Sequence, residues 1–268
     1  MYTSAVALCL PVPSSVRTVA PVLNLLILAA YALLIRVDSL RSRLPLGVMR
    51  DWFPLALMLL AYRQMGWFAP AHHTPRLEYS WIAWDRWLLE RWKLHAALEI
   101  LGPVLPSILE IAYSLVYLLG PFSLAMLYVY RRRERVQVFL FPFILGVLLC
   151  YVQFPLWPSE PPRTVFPGQD FPSYITVFRR LNAWMLGGYG IHTSVFPSAH
   201  VAGAFSAAFG MRQALPEQPW VSRFLIVMAV LIATATVYGR YHYLADAMAG
   251  LLMSLLAGIL SRRLNRTS

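Results

Sequence analysis

Two histidines and an aspartate in the last third of the chain have residue types and a spacing that suit catalysis. His200 follows Pro197-Ser198, which is typical of a helix start, because Pro suits the first turn and Ser caps free N–H groups. His242 and Asp246 are four residues apart and share one face of any helix that runs through them. His200 and His242 are separated by 42 residues, roughly two membrane spans of about 20 residues each. The spacing therefore predicts that the three side chains meet at one rim of a bilayer.

These residue types suit phosphoryl transfer. An aspartate that accepts one ring N–H of His242 fixes its tautomer and leaves the other nitrogen free to attack an electrophile. His200 would then give a proton to the leaving oxygen and later take one from the incoming nucleophile. Phosphate oxygens also need Arg, hydroxyl or backbone N–H donors, for which the candidates are Arg163, Arg240 and Ser198. The alternative for each histidine is a polar residue at the end of a span, without a catalytic role.

The composition is that of an integral membrane protein. Hydrophobic residues make up 59% of the 268 residues and charged residues only 13%, whereas soluble domains carry roughly 25% charged residues. The net charge of +11 lies in short arginine runs beside apolar segments, which indicates orientation signals and headgroup contacts rather than nucleic-acid binding. Cys9 and Cys150 lie far apart in apolar surroundings, and His72-His73 lacks further ligands at metal spacing. We therefore expect no disulfide framework, no metal and no cofactor.

Seven apolar segments are predicted to cross the membrane, namely residues 19–35, 52–70, 103–130, 136–154, 196–211, 224–238 and 243–260. Residues 71–102 differ in kind, because four tryptophans are mixed with charged residues there. This pattern predicts a helix that lies in the membrane interface. Asp85 is expected on its solvated face, and the alternative is a position against the active rim. Residues 155–195 lack an apolar run and are predicted to form a long loop, which is either functional or disordered.

The arginine clusters predict the orientation of the spans. Seven spans place the basic segments 36–51, 131–135 and 212–223 and the C-terminal tail on one face. The positive-inside tendency assigns that face to the cytoplasm. His200 and His242 then fall on the opposite face, together with the Trp-rich segment. The charges, which are independent of the histidines, thus predict an extracytoplasmic active site.

Two stretches of the chain resemble signatures of a known family. Residues 197–200, PSAH, resemble the second signature of the type-2 phosphatidic acid phosphatase superfamily, and residues 242–246, HYLAD, resemble the third. The wider context, FPSAHVA and GRYHYLAD, is similar to that of inositol phosphorylceramide synthases and their bacterial relatives. The resemblance covers about residues 141–260. It implies a six-helix core, a metal-independent reaction and a phosphohistidine intermediate, and it makes a bacterial plasma membrane the expected location.

The resemblance also implies a role for each residue of these signatures. His242 would be the nucleophile and Asp246 its orienting partner. His200 would be the acid and base at the leaving oxygen, and Ser198 would bind phosphate.

Two departures from the family pattern concern the arginines. The first signature of the family ends in Arg-Pro after an upstream Lys, whereas this chain reads EPPR at residues 160–163 and has no nearby Lys. The third signature often has Arg six residues before the histidine, where this chain has Thr236. Arg163 and Arg240 are the candidate replacements, and the alternative for both is contact with lipid headgroups.

The sequence thus predicts an all-α polytopic membrane enzyme. We expect the catalytic core in residues 103–268, and an extra N-terminal span with the interfacial helix in residues 1–102. The expected activity is phosphoryl transfer from a lipid phosphoester or phosphoanhydride at the outer membrane face, with a phosphatase for phosphatidic acid or an isoprenoid diphosphate as the leading candidate. Two alternatives stay open: a phospho-headgroup transferase of the inositol phosphorylceramide synthase type and, from another class, a transporter or inactive scaffold. The oligomeric state is not predicted.

Overall fold

The computed structural model describes residues 2–10, 12–41, 44–70 and 72–267. Most of these residues are helical, and no β-strand forms within these ranges. The α-helices are α1 (Tyr2–Cys9), α2 (Ser14–Arg41), α3 (Leu44–Met65), α4 (Arg76–Arg86), α5 (Leu94–Glu99), α6 (Val104–Ser114), α7 (Leu119–Val129), α8 (Val136–Tyr151), α9 (Pro162–Val165), α10 (Val177–Tyr189), α11 (Ala199–Ala214), α12 (Pro219–Tyr238) and α13 (Leu244–Thr267).

Among the described residues, five helical segments are long and apolar enough to cross a membrane, namely Ser14–Leu40, Val104–Val129, Arg133–Tyr151, Pro219–Tyr238 and Leu244–Asn265. The predicted span at 52–70 overlaps α3, which ends at Met65 and carries three charged side chains. The predicted span at 196–211 corresponds to α11, which has only 16 residues. The prediction of an all-α polytopic membrane protein is confirmed.

The helices form two compact units, Met1–Ala69 and Pro70–Ser268. In the first unit, a closed ring of hydrogen bonds joins three polar side chains inside apolar helices. Asn24 Nδ2 donates to Thr3 Oγ1 (2.7 Å), Thr3 Oγ1 donates to Gln64 Oε1 (2.8 Å), and Gln64 Nε2 donates to Asn24 Oδ1 (3.1 Å). The ring offsets the cost of burying these groups. The second unit begins before the predicted boundary at residue 102 and includes the Trp-rich segment.

The central helix of the second unit is α11, which packs on α8, α12 and α13. Its sequence is rich in Ala and Gly, so neighbouring helices approach closely, as small residues allow in membrane proteins. A Cβ atom added at Gly250 of α13 would lie only 2.4 Å from the Ser198 carbonyl oxygen at the start of α11. This close approach holds the start of α11, which carries His200, against the first turns of α13.

The Trp-rich segment is a broken helix made of α4, a π-helical turn at Trp87–Arg91, and α5. Trp84 and Trp92 are more than half exposed, whereas Trp81 is buried and stacks on Phe196 with 4.9 Å between the ring centroids. Asp85 is also fully buried. The predicted solvated position of Asp85 is therefore wrong, because this face of α4 packs against the helical core.

Residues 155–195 contain a 13-residue helix, α10, where a loop was predicted. Thr176 caps this helix, since its hydroxyl accepts the backbone N–H of Arg179 at 3.1 Å. The buried residue of α10 is the polar Asn182, while Val177 and Trp184 are each 76% exposed. Val177, Leu181 and Trp184 recur at helical spacing on the exposed side of α10. The helical period is therefore present in the sequence, although residues 155–195 contain no apolar run long enough for a membrane span.

Candidate active site

The two predicted histidines and the aspartate form one continuous chain of contacts. His200 Nδ1 lies 3.2 Å from His242 Nε2, and His242 Nδ1 lies 3.3 Å from Asp246 Oδ2. His242 and Asp246 are both buried. Asp246 Oδ2 also accepts the backbone N–H of Tyr243 at 2.8 Å, which fixes the carboxylate at the start of α13. The structure therefore brings together the three residues that the sequence selected for chemistry.

Two helix starts hold this chain in place. Ser198 caps α11, since its hydroxyl accepts the backbone N–H of Val201 at 3.3 Å. The backbone N–H of Ser198 donates to the carbonyl oxygen of Asp246 at 3.0 Å, which joins α11 to α13. His200 is in the first turn of α11, and His242 is in the turn between α12 and α13. Ser198 thus has a clear structural role, and phosphate binding by its hydroxyl stays a prediction.

Two tyrosines that the sequence analysis did not select complete the surroundings of His200. The hydroxyl of Tyr117 lies 3.3 Å from His200 Nε2. The ring of Tyr113 stacks on the His200 ring, with 5.1 Å between centroids, and on the Tyr241 ring at 4.1 Å. Both tyrosines lie in the Val104–Val129 span, more than 80 residues before His200. Their four-residue spacing on one helix face is the only sequence signal for this pair.

With Asp246 ionised, these contacts fit the following arrangement of protons. When Asp246 accepts the Nδ1 proton of His242, the Nε2 atom of His242 carries a lone pair and can only accept. His200 must then donate from Nδ1, which leaves its own Nε2 atom to accept the hydroxyl proton of Tyr117. The proton on His200 therefore points at the nitrogen of His242 that is free to react.

Arg163 supplies a positive charge beside the histidines. Its backbone N–H donates to the Arg240 carbonyl oxygen at 3.3 Å, and its Nη1 atom donates to the Tyr241 carbonyl oxygen at 3.4 Å. Burial, followed by the charge of Arg163, lowers the pKa of His242 to about 3. His242 is therefore neutral near pH 7, which is the state in which Nε2 can act as a nucleophile.

Arg240 is fully buried and pairs with Asp85 of the Trp-rich segment. Arg240 Nη1 lies 2.6 Å from Asp85 Oδ2, and Asp85 Oδ1 accepts the backbone N–H of Leu244 at 2.8 Å. Burial raises the pKa of Asp85 to about 6, against the lowering effect of Arg240, so the carboxylate is ionised near pH 7. Within the described residues, Nε and Nη2 of Arg240 have no hydrogen-bond partner. A role of Arg240 as a phosphate ligand stays a prediction.

Known proteins share the part of the chain that carries this site. The sequence profile of the PAP2 superfamily matches residues 80–260, which include both histidine signatures. A PA-phosphatase related-family protein of Dictyostelium discoideum is 28% identical over 128 residues, which cover 44% of this chain and 22% of that relative. This chain thus spans only about a fifth of the length of that relative. No solved structure matches. Since the profile covers most of the chain, from within α4 to within α13, this protein belongs to the PAP2 superfamily.

Proposed function

We propose that this protein is a lipid phosphatase or phosphotransferase that forms a phosphohistidine on His242. The observation that carries the proposal is the chain of contacts from Asp246 through His242 to His200, with distances of 3.3 and 3.2 Å. Membership of the PAP2 superfamily and the apolar helices support a lipid phosphate as the substrate.

In the first step, Nε2 of His242 attacks the phosphorus atom, and the bond between phosphorus and the leaving oxygen breaks. His200 gives its Nδ1 proton to that oxygen. Asp246 keeps the Nδ1 proton of His242 in place and stabilises the positive charge on the imidazole. Arg163 would bind the non-bridging phosphate oxygens, and Ser198 and Arg240 are the further candidates for that role.

In the second step, a water molecule attacks the phosphorus atom, and the bond between phosphorus and His242 breaks. His200 takes a proton from the water molecule, so the cycle returns both histidines to their starting state. Orthophosphate is the product. The arginine charges supply the electrostatic stabilisation in this scheme, which therefore uses no metal ion.

We also propose that the site faces the extracytoplasmic side of a bacterial plasma membrane. The first turn of α11 carries His200, and its last turn contains Arg212. At that end of α11, Arg135 pairs with Glu217 at 2.9 Å, which joins the basic turn after α7 to the turn after α11. The clustered arginines therefore lie at the helix ends away from the histidines. The positive-inside tendency then favours a site on the outer face.

The sequence around both histidines favours a second candidate, a phospho-headgroup transferase. FPSAHVA and GRYHYLAD resemble inositol phosphorylceramide synthases. In that reaction His242 would carry a phospho-headgroup, and a lipid alcohol would replace water in the second step. A transporter or inactive scaffold is the alternative from another class.

The deciding experiment measures phosphate release from a panel of lipid phosphates by purified protein in detergent with a chelator present. We expect release by the wild type, its loss in His242→Ala, and full activity in His72→Ala, which changes an exposed histidine. The wild type should also retain acid-labile phosphate on the protein during turnover.

Each other outcome of that experiment contradicts a specific part of the proposal. Release that survives in His242→Ala would exclude the phosphohistidine. Release that requires a metal ion would exclude the metal-independent scheme. If the wild type neither releases phosphate nor transfers a headgroup to a lipid alcohol, the protein is the transporter or scaffold.

A further inference from the structure

Tyr241 is a buried tyrosine directly before the proposed nucleophile, and the scheme for phosphoryl transfer leaves its side chain without a role. It is only 3% exposed. Its hydroxyl donates to Oε2 of Glu110, a carboxylate in the Val104–Val129 span, at 2.6 Å. Burial and the charge of Glu110 raise the pKa of Tyr241, so the hydroxyl stays protonated and keeps this hydrogen bond. A buried carboxylate therefore fixes the tip of the Tyr241 ring.

Further contacts hold Glu110 and the face of the ring. Glu110 Oε1 accepts Arg179 Nη1 at 2.9 Å, and Glu110 Oε2 accepts Asn182 Nδ2 at 2.7 Å. The ring of Tyr113 stacks on the Tyr241 ring, with 4.1 Å between the centroids and 15° between the planes. Because both its tip and one of its faces are held, the Tyr241 ring has a single orientation.

The fixed ring supports Arg163, which is the arginine expected to bind phosphate. The Cζ atom of Arg163 lies 5.7 Å from the centroid of the Tyr241 ring, within the roughly 6 Å range of a cation–π contact. The carbonyl oxygen of Tyr241 accepts Arg163 Nη1 at 3.4 Å. Both of these groups are neutral, so they hold the guanidinium without offsetting its charge, unlike the carboxylate of Asp85 beside Arg240.

The same ring belongs to an aromatic stack that reaches the acid and base of the scheme. Tyr113, which lies against Tyr241, also stacks on the His200 ring with 5.1 Å between the centroids. Tyr241 is therefore linked to the residue expected to hold the phosphate and to the one expected to protonate the leaving oxygen. The relative placement of two such groups matters, because a displacement of about 1 Å can cost on the order of a hundredfold in rate.

We propose that Tyr241 is a positioning residue, whose ring holds the Arg163 guanidinium in a fixed place relative to His200 and His242. The inference rests on the proposed function. A guanidinium that is already in place loses less conformational entropy when it binds phosphate. Tyr241 therefore contributes to phosphate affinity through Arg163, without touching the substrate.

The test measures binding of orthophosphate, the expected product, to the purified full chain in detergent by isothermal titration calorimetry. Tyr241→Leu and Tyr241→Met both remove the ring but keep an apolar side chain. We expect each to weaken orthophosphate binding roughly three- to tenfold, as loss of a cation–π contact predicts. Tyr241→Phe keeps the ring and should retain most of the affinity. In an Arg163→Gln background, which itself binds orthophosphate more weakly, Tyr241→Leu should have no further effect.

Tyr238 offers a matched control in the same part of the chain. It is 2% exposed, and its hydroxyl also donates to a carboxylate, Glu99 Oε1, at 2.7 Å. Its ring, however, lies against His95, with 5.6 Å between the centroids. Tyr238→Leu should therefore lower the thermal stability about as much as Tyr241→Leu but keep the orthophosphate affinity. A purely structural role of Tyr241 predicts the same affinity in both variants.

Unchanged affinity in Tyr241→Leu and Tyr241→Met would overturn the positioning role, as would a loss of the same size in Tyr238→Leu or in Tyr241→Phe. An undiminished effect of Tyr241→Leu in the Arg163→Gln background would show that Tyr241 does not act through Arg163. A wild type that binds no orthophosphate would also overturn the proposal.

Phosphate release from phosphatidic acid, measured on the same preparations, separates the positioning role from the proposed function. Release by the wild type, with unchanged orthophosphate affinity in the Tyr241 variants, refutes the positioning role alone. The expected pattern of affinities, without release from any lipid phosphate and without phosphohistidine in the wild type, supports the positioning of Arg163 and refutes the phosphatase.

Discussion

Protonation of His242 would place a positive charge in a buried position near Arg163. The pKa of His242 is about 3 in the folded protein, against an ordinary value of 6.5. Between these two values the unfolded chain binds more protons than the folded one, so the free energy of unfolding falls as the pH drops from 6.5 towards 3. Each pH unit in this window costs up to about 1.4 kcal/mol for one such group.

We therefore expect the stability of the wild type in detergent to decrease more steeply below pH 6.5 than that of His242→Asn. The measurement is thermal unfolding of both proteins from pH 7.5 to 4. His72→Asn is the control, and it should follow the wild type because His72 is exposed. Parallel curves for His242→Asn and the wild type would show that His242 is not buried in its neutral form.

Tyr117 is expected to position His200 for proton transfer. Tyr117→Phe keeps the aromatic ring, whose centroid lies 5.8 Å from that of His200, and removes the hydroxyl at 3.3 Å from His200 Nε2. Loss of one neutral hydrogen bond predicts a decrease of roughly three- to tenfold in kcat, with KM little changed. Steady-state kinetics in detergent measures both constants, and Tyr174→Phe, which removes the hydroxyl of an exposed tyrosine before α10, serves as the control. An unchanged kcat would assign Tyr117 to packing alone.

At the scale of helices, the close approach of α13 to α11 sets the distance between the two histidines. A Cβ atom at Gly250 would lie 2.4 Å from the Ser198 carbonyl oxygen, so Gly250→Ala must push the helix starts apart. A displacement of about 1 Å in a catalytic group can reduce activity on the order of a hundredfold. We expect such a loss of kcat in Gly250→Ala.

Gly258→Ala is the matched control for Gly250→Ala on the same helix. A Cβ atom at Gly258 would meet Phe209 at 3.5 Å, which is ordinary van der Waals contact. We expect this variant to keep wild-type activity and stability. Equal activity of the two variants would mean that the contact of Gly250 with Ser198 does not position the histidines.

The Asp85–Arg240 ion pair connects the Trp-rich segment to the turn that carries His242. Asp85→Asn keeps an acceptor for the N–H of Leu244 but leaves the Arg240 guanidinium buried without its counter-charge. Breaking a buried pair in this way costs about 3–5 kcal/mol.

Asp170→Asn is the control, because its partner Arg86 is substantially exposed, and a surface pair contributes about 0–1 kcal/mol. Denaturant titration of both variants measures the difference, and equal losses would contradict the buried pair.

Across the whole chain, features determined by local patterns could be predicted from the sequence. The apolar segments and the spacing of His200, His242 and Asp246 follow from helix periodicity and membrane thickness, and these three side chains do meet in the structure. The burial of Asp85 and the contact of Tyr117 with His200 could not be predicted in this way. Their partners lie 155 and 83 residues away along the chain, and only tertiary packing brings such residues together. The helical spacing of Val177, Leu181 and Trp184 does indicate α10, but this segment has no apolar run long enough for a membrane span, the signal on which the loop prediction rested.

The orientation of the second unit in the membrane is also predicted from a pattern that extends over the chain, namely the distribution of its arginines. The turn at Arg133–Arg135 and the histidines lie at opposite ends of the helices that connect them. If the arginines face the cytoplasm, Gly188, near the end of α10, faces the outside. A single cysteine at each end tests this orientation, because a charged maleimide reaches only the exposed face of intact spheroplasts. The background is Cys9→Ser, which leaves the buried Cys150.

In that background, we expect Gly188→Cys to be labelled in intact spheroplasts and Glu134→Cys only after the membrane is permeabilised. Both positions are exposed in the structure, so accessibility depends on the side of the membrane rather than on burial. Phosphate release from each cysteine variant checks that the active site is intact. The reverse labelling pattern would place His242 on the cytoplasmic face. The substrate would then be a lipid of the inner leaflet, and the arginine clusters would contribute to something other than orientation, such as headgroup binding on the outer face.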